Sequence, residues 1–439
     1  MRSPFEVDLA TFEARVLPVP PSTTQISPLD LKRAEQTIAR IAEQFQSAGQ
    51  EEALAFELES VFSGLTLPNG NKVNASIQRN AHDEDSPVVP SLGLYSGGRV
   101  AHRSLPDWNT IRVWVCLEMV DPRRTNDEAR DIIESVVREV FARQPRRWIY
   151  SIHLLEGGLY CFRRDRSGTI VSKDVAMAED PGMLVRLLWR FSQMTDEQLG
   201  LDLTASTVDL GSPYFALMED TKEDKDGQDI DLDACEMDPF QNDHRQPSST
   251  GPCVFAYQRR LFADSLTDDW PRYALEVGTE RRKYLVGKPT YIADAHSTGT
   301  LVYIALDPVD RSFVTLKDKW RPLSADFESE GDILRTLQSR GVGGVPSAVR
   351  YSDIEGHQTW LELYSEENVR RKRKRDDKGT YKTPRPFERL QHCRLVEKEV
   401  LLPLDEFTCS FQLLRVISDC IRSESCRSFC IRLTLLHTP

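Results

Sequence analysis

No stretch of the 439 residues reaches the ~20 consecutive apolar side chains needed to cross a bilayer, so a membrane-spanning helix is excluded. The opening MRSPFEVDLATFEARVLPVPP also lacks the uncharged apolar core of a secretory signal, because Glu6, Asp8 and Glu13 interrupt it. An intracellular protein, cytoplasmic or nuclear, is therefore expected. Paired cysteine motifs are missing too. The nine cysteines fall at Cys116, Cys161, Cys235, Cys253, Cys393, Cys409, Cys420, Cys426 and Cys430, without a CxxC pair or a zinc-type spacing. They read as reduced thiols, mostly packed in cores. Basic excess is absent: 56 Lys and Arg stand against 68 Asp and Glu, a formal net charge of -12, so no nucleic-acid partner wrapped by the whole surface is expected. No internal repeat is visible.

What is present suffices for at least two cores, since 40% of the residues are hydrophobic and single cores seldom grow past ~250 residues. From Ser27, SPLDLKRAEQTIARIAEQF brings Leu29, Leu31, Ile38, Ile41 and Phe45 near one face, with Ser27 as N-cap and Pro28 at the first helical position; helix is expected to Ser60. Asn69 to Arg103 is rich in turn formers and reads as loops or an exposed hairpin.

The clearest patterning follows. TIRVWVCLEMV alternates like a half-buried strand, NDEARDIIESVVREVFARQ has helical period, and RRWIYSIHLLEGGLYCFRRDRSGTIVS reads as three strands broken by Gly-Gly and Ser-Gly turns. His153, between Ile152 and Leu154, is expected as a packed or surface histidine rather than a catalytic base. DPGMLVRLLWRFSQMTDEQLGLD then reads as a helix bearing Leu184, Val185, Leu187, Leu188 and Phe191.

Glu219 to Asp238 is dense in acid and poor in aromatics, the composition of a linker. Its DKDGQDIDLD invites a calcium reading but lacks the order of an EF-hand loop, with glycine sixth and glutamate twelfth. Strands return through RRKYLVGKPTYIADAHSTGTLVYIALDPVDRSFVTLKDKW. A helix, ADFESEGDILRTLQSRG, comes next, then the strand-like VGGVPSAVRYSD and QTWLELYS, the basic RRKRKR from Arg370 to Arg375, the strand HCRLVEKEV and the helix LDEFTCSFQLLRVISDCIRS.

Taken as an ordered set, these pieces resemble the fungal-type protein kinase domain family. In the first part, DWNTIRVWVCLEM, RRWIYSIHLLEGGLYCFRRDRSGTIVS and DEQLGLD carry the resemblance, with RRDRSG, Arg163 to Gly168, as its distinctive string. In the second part, STGTLVYIAL, LKDKW, EGDILRTL, GVGGVPSAVRYSD and HCRLVEKEVLLPLDEF follow the family's order of phosphate loop, third-strand lysine, first large helix, connector, fifth strand and hinge. The resemblance implies an α+β fold in which an N-terminal α/β module precedes a protein-kinase-like N-lobe. It divides the chain into a helical and loop lead at 1–89, an α+β module at 90–210, an acidic linker at 211–252, the N-lobe and the start of a C-lobe at 253–423, and an aberrant tail at 424–439.

It also implies ATP with magnesium as cofactors, phosphorylation of protein Ser or Thr, and a protein substrate or regulatory partner. Lys317 would hold phosphate, and Glu330, with Glu328 as fallback, would fix that lysine from the next helix. Gly299 and Thr300 would close the phosphate loop, and the backbone around Glu399 and Leu401 would meet adenine.

Two departures limit the implied activity. Where the family shows Gly-Arg-Gly-Thr, this chain has Ser297, Thr298, Gly299 and Thr300, so one of two glycines remains. Neither a His-Arg-Asp nor an Asp-Phe-Gly string occurs, and the helix at FQLLRVISDCI runs into RSESCRSFCIRLTLLHTP. The expectation is a fungal-type protein kinase homologue that is inactive as written, a pseudokinase whose C-lobe is absent; the alternative is a non-catalytic binding or regulatory remnant. A separate reading takes Asp107 and Glu118 as the carboxylates of a restriction-type nuclease, with Val120 where that site needs a lysine. The run from Arg370 to Arg375 reads either as a nuclear import signal or as a solvated loop.

Overall fold

Alternating apolar residues build two separate sheets, and the chain divides into two units around them. The computed structural model describes residues 5–19, 25–44, 51–65, 67–78, 89–96, 108–118, 136–155, 158–173, 175–177, 179–225, 227, 229–230, 254–293, 299–323, 328–342, 344–360, 389–402, 410, 413–414 and 417. The first unit comprises Met1–Ala205, Asp294–Gly299 and His357–Leu390; the second comprises Ser206–Ala293, Thr300–Gly356 and Gln391–Pro439. Among the described residues no helix is long and apolar enough to cross a membrane.

The first sheet runs β1 (Phe5–Val7), β7 (Thr169–Ser172), β6 (Gly158–Asp165), β5 (Trp148–Leu155), β4 (Ile111–Glu118), β3 (Val89–Tyr95), β2 (Lys72–Gln78), with β8 (Val175–Ala176) beside β6. β4 and β5 are parallel, which requires a crossover connection, and the described residues 136–143 within it are helical. Successive side chains of β4 point to opposite faces. Trp114 and Cys116 pack with Val136, Val140 and Phe141 of the crossover, while Val113, Val115 and Leu117 join the larger core on the other side. The strand is thus buried on both faces, not half-buried as its alternation suggested.

That larger core is closed by α1 (Pro28–Gln44), α2 (Glu51–Ser63) and α3 (Met183–Ser192). The helix expected from Ser27 to Ser60 is therefore two helices. Ile38 and Ile41 are buried as expected, but Leu29 is exposed, and Phe45 lies outside the described residues. In α3, Leu184, Val185, Leu187, Leu188 and Phe191 are all buried, each contributing about 2 kcal/mol of hydrophobic stabilisation. β2 and β3 form the hairpin expected in 69–103, but Val73, Ala75, Leu92 and Leu94 are buried beneath α2, so it is not an exposed one.

The RRDRSG string has a structural explanation in this unit. Asp165 Oδ1 accepts from the Ser167 backbone N–H at 2.8 Å, the Ser167 hydroxyl at 2.7 Å and the Gly168 N–H at 3.1 Å, which shapes the turn from β6 to β7. Its Oδ2 accepts from the Trp360 N–H at 3.2 Å. Arg163 lies between the rings of Trp148 and Trp360, 4.5 Å from one centroid and 4.6 Å from the other.

In the second unit the order is β15 (Ala348–Gln358), β16 (Leu390–Glu397), β14 (Ser312–Pro322), β13 (Leu301–Asp307), β11 (Arg282–Val286), β10 (Tyr273–Val277), β9 (Ala205–Thr207), with β12 (Tyr291–Ile292) beside β13. Residues 211–225, read as the start of a linker, instead carry α4 (Pro213–Thr221), capped by Ser212, whose hydroxyl accepts from the Phe215 N–H at 3.2 Å. α5 (Ala256–Asp264) buries Phe262 against Ala274, Leu285, Ile304 and Phe313. α6 (Glu330–Ser339) follows β14 and buries Leu334 and Leu337. Of the calcium candidates, Asp229 is committed to Arg259, whose Nε and second guanidinium nitrogen donate to its two oxygens at 2.6 and 2.8 Å. The tail 424–439 and the run Arg370 to Arg375 lie outside the described residues.

Candidate functional site

Lys317 stands on β14 opposite Val302 of β13, and the strand's alternation puts Lys317 and Lys319 on one face and Asp318 on the other. On the lysine face, Lys317 Nζ donates to Glu330 Oε1 and to Glu397 Oε1, each at 2.8 Å. Lys319 Nζ donates to Glu330 Oε2. Two ammonium groups and two carboxylates therefore form one network spanning β14, α6 and β16.

Glu330 is presented by the first turn of α6, where Ser329 caps the helix and its hydroxyl accepts from the Asp332 N–H at 3.0 Å. An acid there also meets the favourable end of the helix dipole. Burial works against ionising Glu330, but Lys319 and Lys317 outweigh it and pull the carboxyl down to about 2. Lys317 behaves in the complementary way: burial opposes its charge, yet Glu330 and Glu397 raise its pKa. For Glu397 the balance reverses, since burial pushes its pKa up and Lys317 only partly offsets this. Glu328 makes no described bond to Lys317, so the glutamate of choice on the helix is Glu330.

This lysine and glutamate, 13 residues apart and brought to 2.8 Å by a strand and the helix after it, are the arrangement that a kinase uses to hold nucleotide phosphates. The family model for fungal protein kinases matches residues 94–242 and 253–437, which is most of the chain. The chain belongs to the fungal protein kinase family. No curated protein and no solved structure matches it.

Within that family frame, the remaining carried-over residues fall as follows. Gly299 has φ +65°, a left-handed conformation that favours glycine, and Thr300 accepts from the Ala293 N–H at 2.9 Å as the chain turns into β13. Ser297 and Thr298 lie outside the described residues. After β16, the Glu399 carbonyl accepts from the Thr315 hydroxyl at 2.8 Å, its carboxylate accepts from the Ser347 N–H at 2.6 Å, and the Val400 carbonyl accepts from the Tyr257 hydroxyl at 2.7 Å. This anchors the segment expected to meet adenine, and Leu401 beyond it is exposed.

Lys319 and Glu397 were not anticipated. The Lys-Asp-Lys spacing was a usable signal for Lys319, because residues i and i+2 of a strand share a face. Nothing local marks Glu397, whose role depends on β16 lying beside β14. On the opposite face of β14 sits a second unanticipated cluster. Asp318 bonds to His392 Nε2 and accepts from Arg394 Nε at 3.1 Å; Arg394 also donates to the Glu276 carbonyl at 2.9 Å, and His392 stacks on Trp320 with centroids 4.7 Å apart. Burial opposes the Asp318 charge, but His392 and Arg394 hold its carboxyl well below the usual carboxylate range.

The other candidates resolve more simply. Burial pushes His153 down to about 3, and its ring packs between Trp114 and Phe162 with Nε2 2.8 Å from the Ser151 hydroxyl, so it is a neutral packing residue. Cys116, Cys161 and Cys393 are buried and in no disulfide, as expected of packed thiols. Of the nuclease residues, Glu118 ends β4, while Asp107 and Val120 lie outside the described residues.

Proposed function

We propose that the second unit binds a nucleoside triphosphate through Lys317, and that this chain acts as a nucleotide-binding or regulatory member of its family rather than a phosphoryl-transfer enzyme. The observation that carries the reading is the 2.8 Å contact between Lys317 on β14 and Glu330 on α6, the helix that follows that strand. Gly299 in a left-handed conformation, just before β13, is consistent with a loop able to approach phosphate oxygens.

The residues fit the phosphate end of ATP better than its metal. Glu330 and Glu397, the carboxylates beside Lys317, are each already engaged by a lysine. The strings that the family uses to orient the accepting hydroxyl and hold magnesium, His-Arg-Asp and Asp-Phe-Gly, do not occur among the 439 residues. Bound ATP would bring a transferable phosphoryl group; Lys317 would neutralise phosphate charge, and Glu330 would hold the lysine in place.

The test is thermal unfolding with and without ATP and magnesium. A ligand at 100 times its dissociation constant stabilises the folded state by about 2.7 kcal/mol, so a melting shift is readable. ATP should raise the wild-type melting temperature, and Lys317→Met should abolish the shift. Equal stabilisation of both proteins would overturn the assignment.

A further inference from the structure

The lysine that should greet a phosphate is held by two carboxylates, and only Glu330 occupies the helix position that the family frame provides for. The second, Glu397, points from β16 with 2% of its surface exposed and an oxygen 2.8 Å from Lys317 Nζ. Lys319 is already engaged by Glu330. The network is therefore charge-balanced before any ligand arrives: Lys317 and Lys319 against Glu330 and Glu397.

We propose that Glu397 is an internal competitor for the phosphate at Lys317, so that it sets how tightly this site takes a polyphosphate. The inference rests on the nucleotide reading above. An anion reaching Lys317 must approach a fixed, desolvated carboxylate of the same sign, and like charges at such range disfavour one another strongly. It must also replace a hydrogen bond that the ammonium already makes. Glu330 presents less of an obstacle, because both its oxygens are committed to lysines. Glu397 has no described lysine other than Lys317 within ion-pair distance.

The charged groups facing Glu397 are Lys317 and Lys319 from β14 and Glu330 from α6. Because burial raises its pKa, Glu397 gives up its charge at a higher pH than Glu330 does. The competition should accordingly fade with acidification while Lys317 stays protonated.

The experiment measures dissociation constants of ATP by calorimetry for the full chain, in EDTA and in magnesium, at pH 8. Wild type is compared with Glu397→Gln, which removes the charge, and Glu397→Asp, which keeps it but withdraws it by one methylene. Glu397→Gln should bind ATP in EDTA on the order of tenfold more tightly than wild type at pH 8. Glu397→Asp should fall between the two. A merely structural role for Glu397 would weaken binding in both variants rather than tighten it. Equal or weaker binding by both variants overturns the proposal. Should Glu397→Gln fail to fold, the Glu397→Asp comparison decides alone. If Lys317→Met abolishes binding while the Glu397 variants match wild type, only the competition has failed; if no protein binds ATP, or Lys317→Met binds as wild type does, the nucleotide reading has failed and the competition falls with it.

Discussion

Glu330 and Glu397 face the same ammonium group, and their surroundings treat them oppositely. Glu330 is ionised far below its ordinary range because two lysines overcome the cost of its burial. A carboxyl whose folded pKa is depressed contributes stability that is complete above the unfolded value, about 4.5, and is lost as pH falls toward about 2. At roughly 1.4 kcal/mol per unit, that contribution is on the order of 3 kcal/mol. Urea unfolding at stepped pH should therefore show wild type more stable than Glu330→Gln at pH 6, with the gap closing below about pH 4.5. A gap that stays constant down to pH 3 would mean that the lysines do not discriminate the charged form. His153 teaches the same point in the apolar direction: a histidine on an alternating strand carried no label of its own, and only its burial between two aromatic rings shows why it stays neutral.

At the scale of elements, the Lys317 and Glu330 pair depends on where α6 is seated, and that seat is set by the residue after Glu330. A Cβ built on Gly331 would lie 2.2 Å from the Tyr351 ring, so α6 can approach β15 this closely only with glycine there. The Tyr351 hydroxyl bonds to Asp332 and fastens the same turn. Gly331→Ala should push the first turn of α6 away from the sheet, costing about 1–3 kcal/mol as overpacking does. The nucleotide-dependent melting shift should shrink with it. Adding Tyr351→Ala should recover room for the methyl group, so the double variant should retain more of that shift than Gly331→Ala alone. A shift unchanged in Gly331→Ala would show that Glu330 is positioned by something other than this contact. The pair itself came from the resemblance, which set Lys317 on a strand and Glu330 on the helix after it; the residues around Lys317 alone do not mark it off from a solvated lysine at a strand end. Glu397 was not legible in the sequence, since its partner lies 80 residues away and the contact exists only through the pairing of β16 with β14.

For the molecule as a whole, legibility followed the same division between near and far. Strands β4 to β7, helix α3 and the strands flanking Lys317 could be read from period and turn residues. The hairpin of β2 and β3 was read as exposed because its sequence is polar at the turns, whereas burial is decided by α2 lying on it. The units themselves are not continuous in sequence: His357–Leu390 belongs to the first unit although it lies between segments of the second. Trp360 shows what this means physically. Its ring covers the Arg163 guanidinium and its backbone N–H meets Asp165, so a residue nearly 200 positions away completes the turn that the RRDRSG string begins. Losing one cation–π face and the packing beneath it should cost on the order of 2 kcal/mol. In the full chain, Trp360→Ala is therefore expected to speed amide hydrogen exchange in β6 and the turn to β7 while leaving exchange in β13 and β14 near the wild-type rate. Protection in β6 that survives the substitution would mean that Arg163 and Asp165 hold the turn unaided, and that the distinctive string is complete without its distant tryptophan.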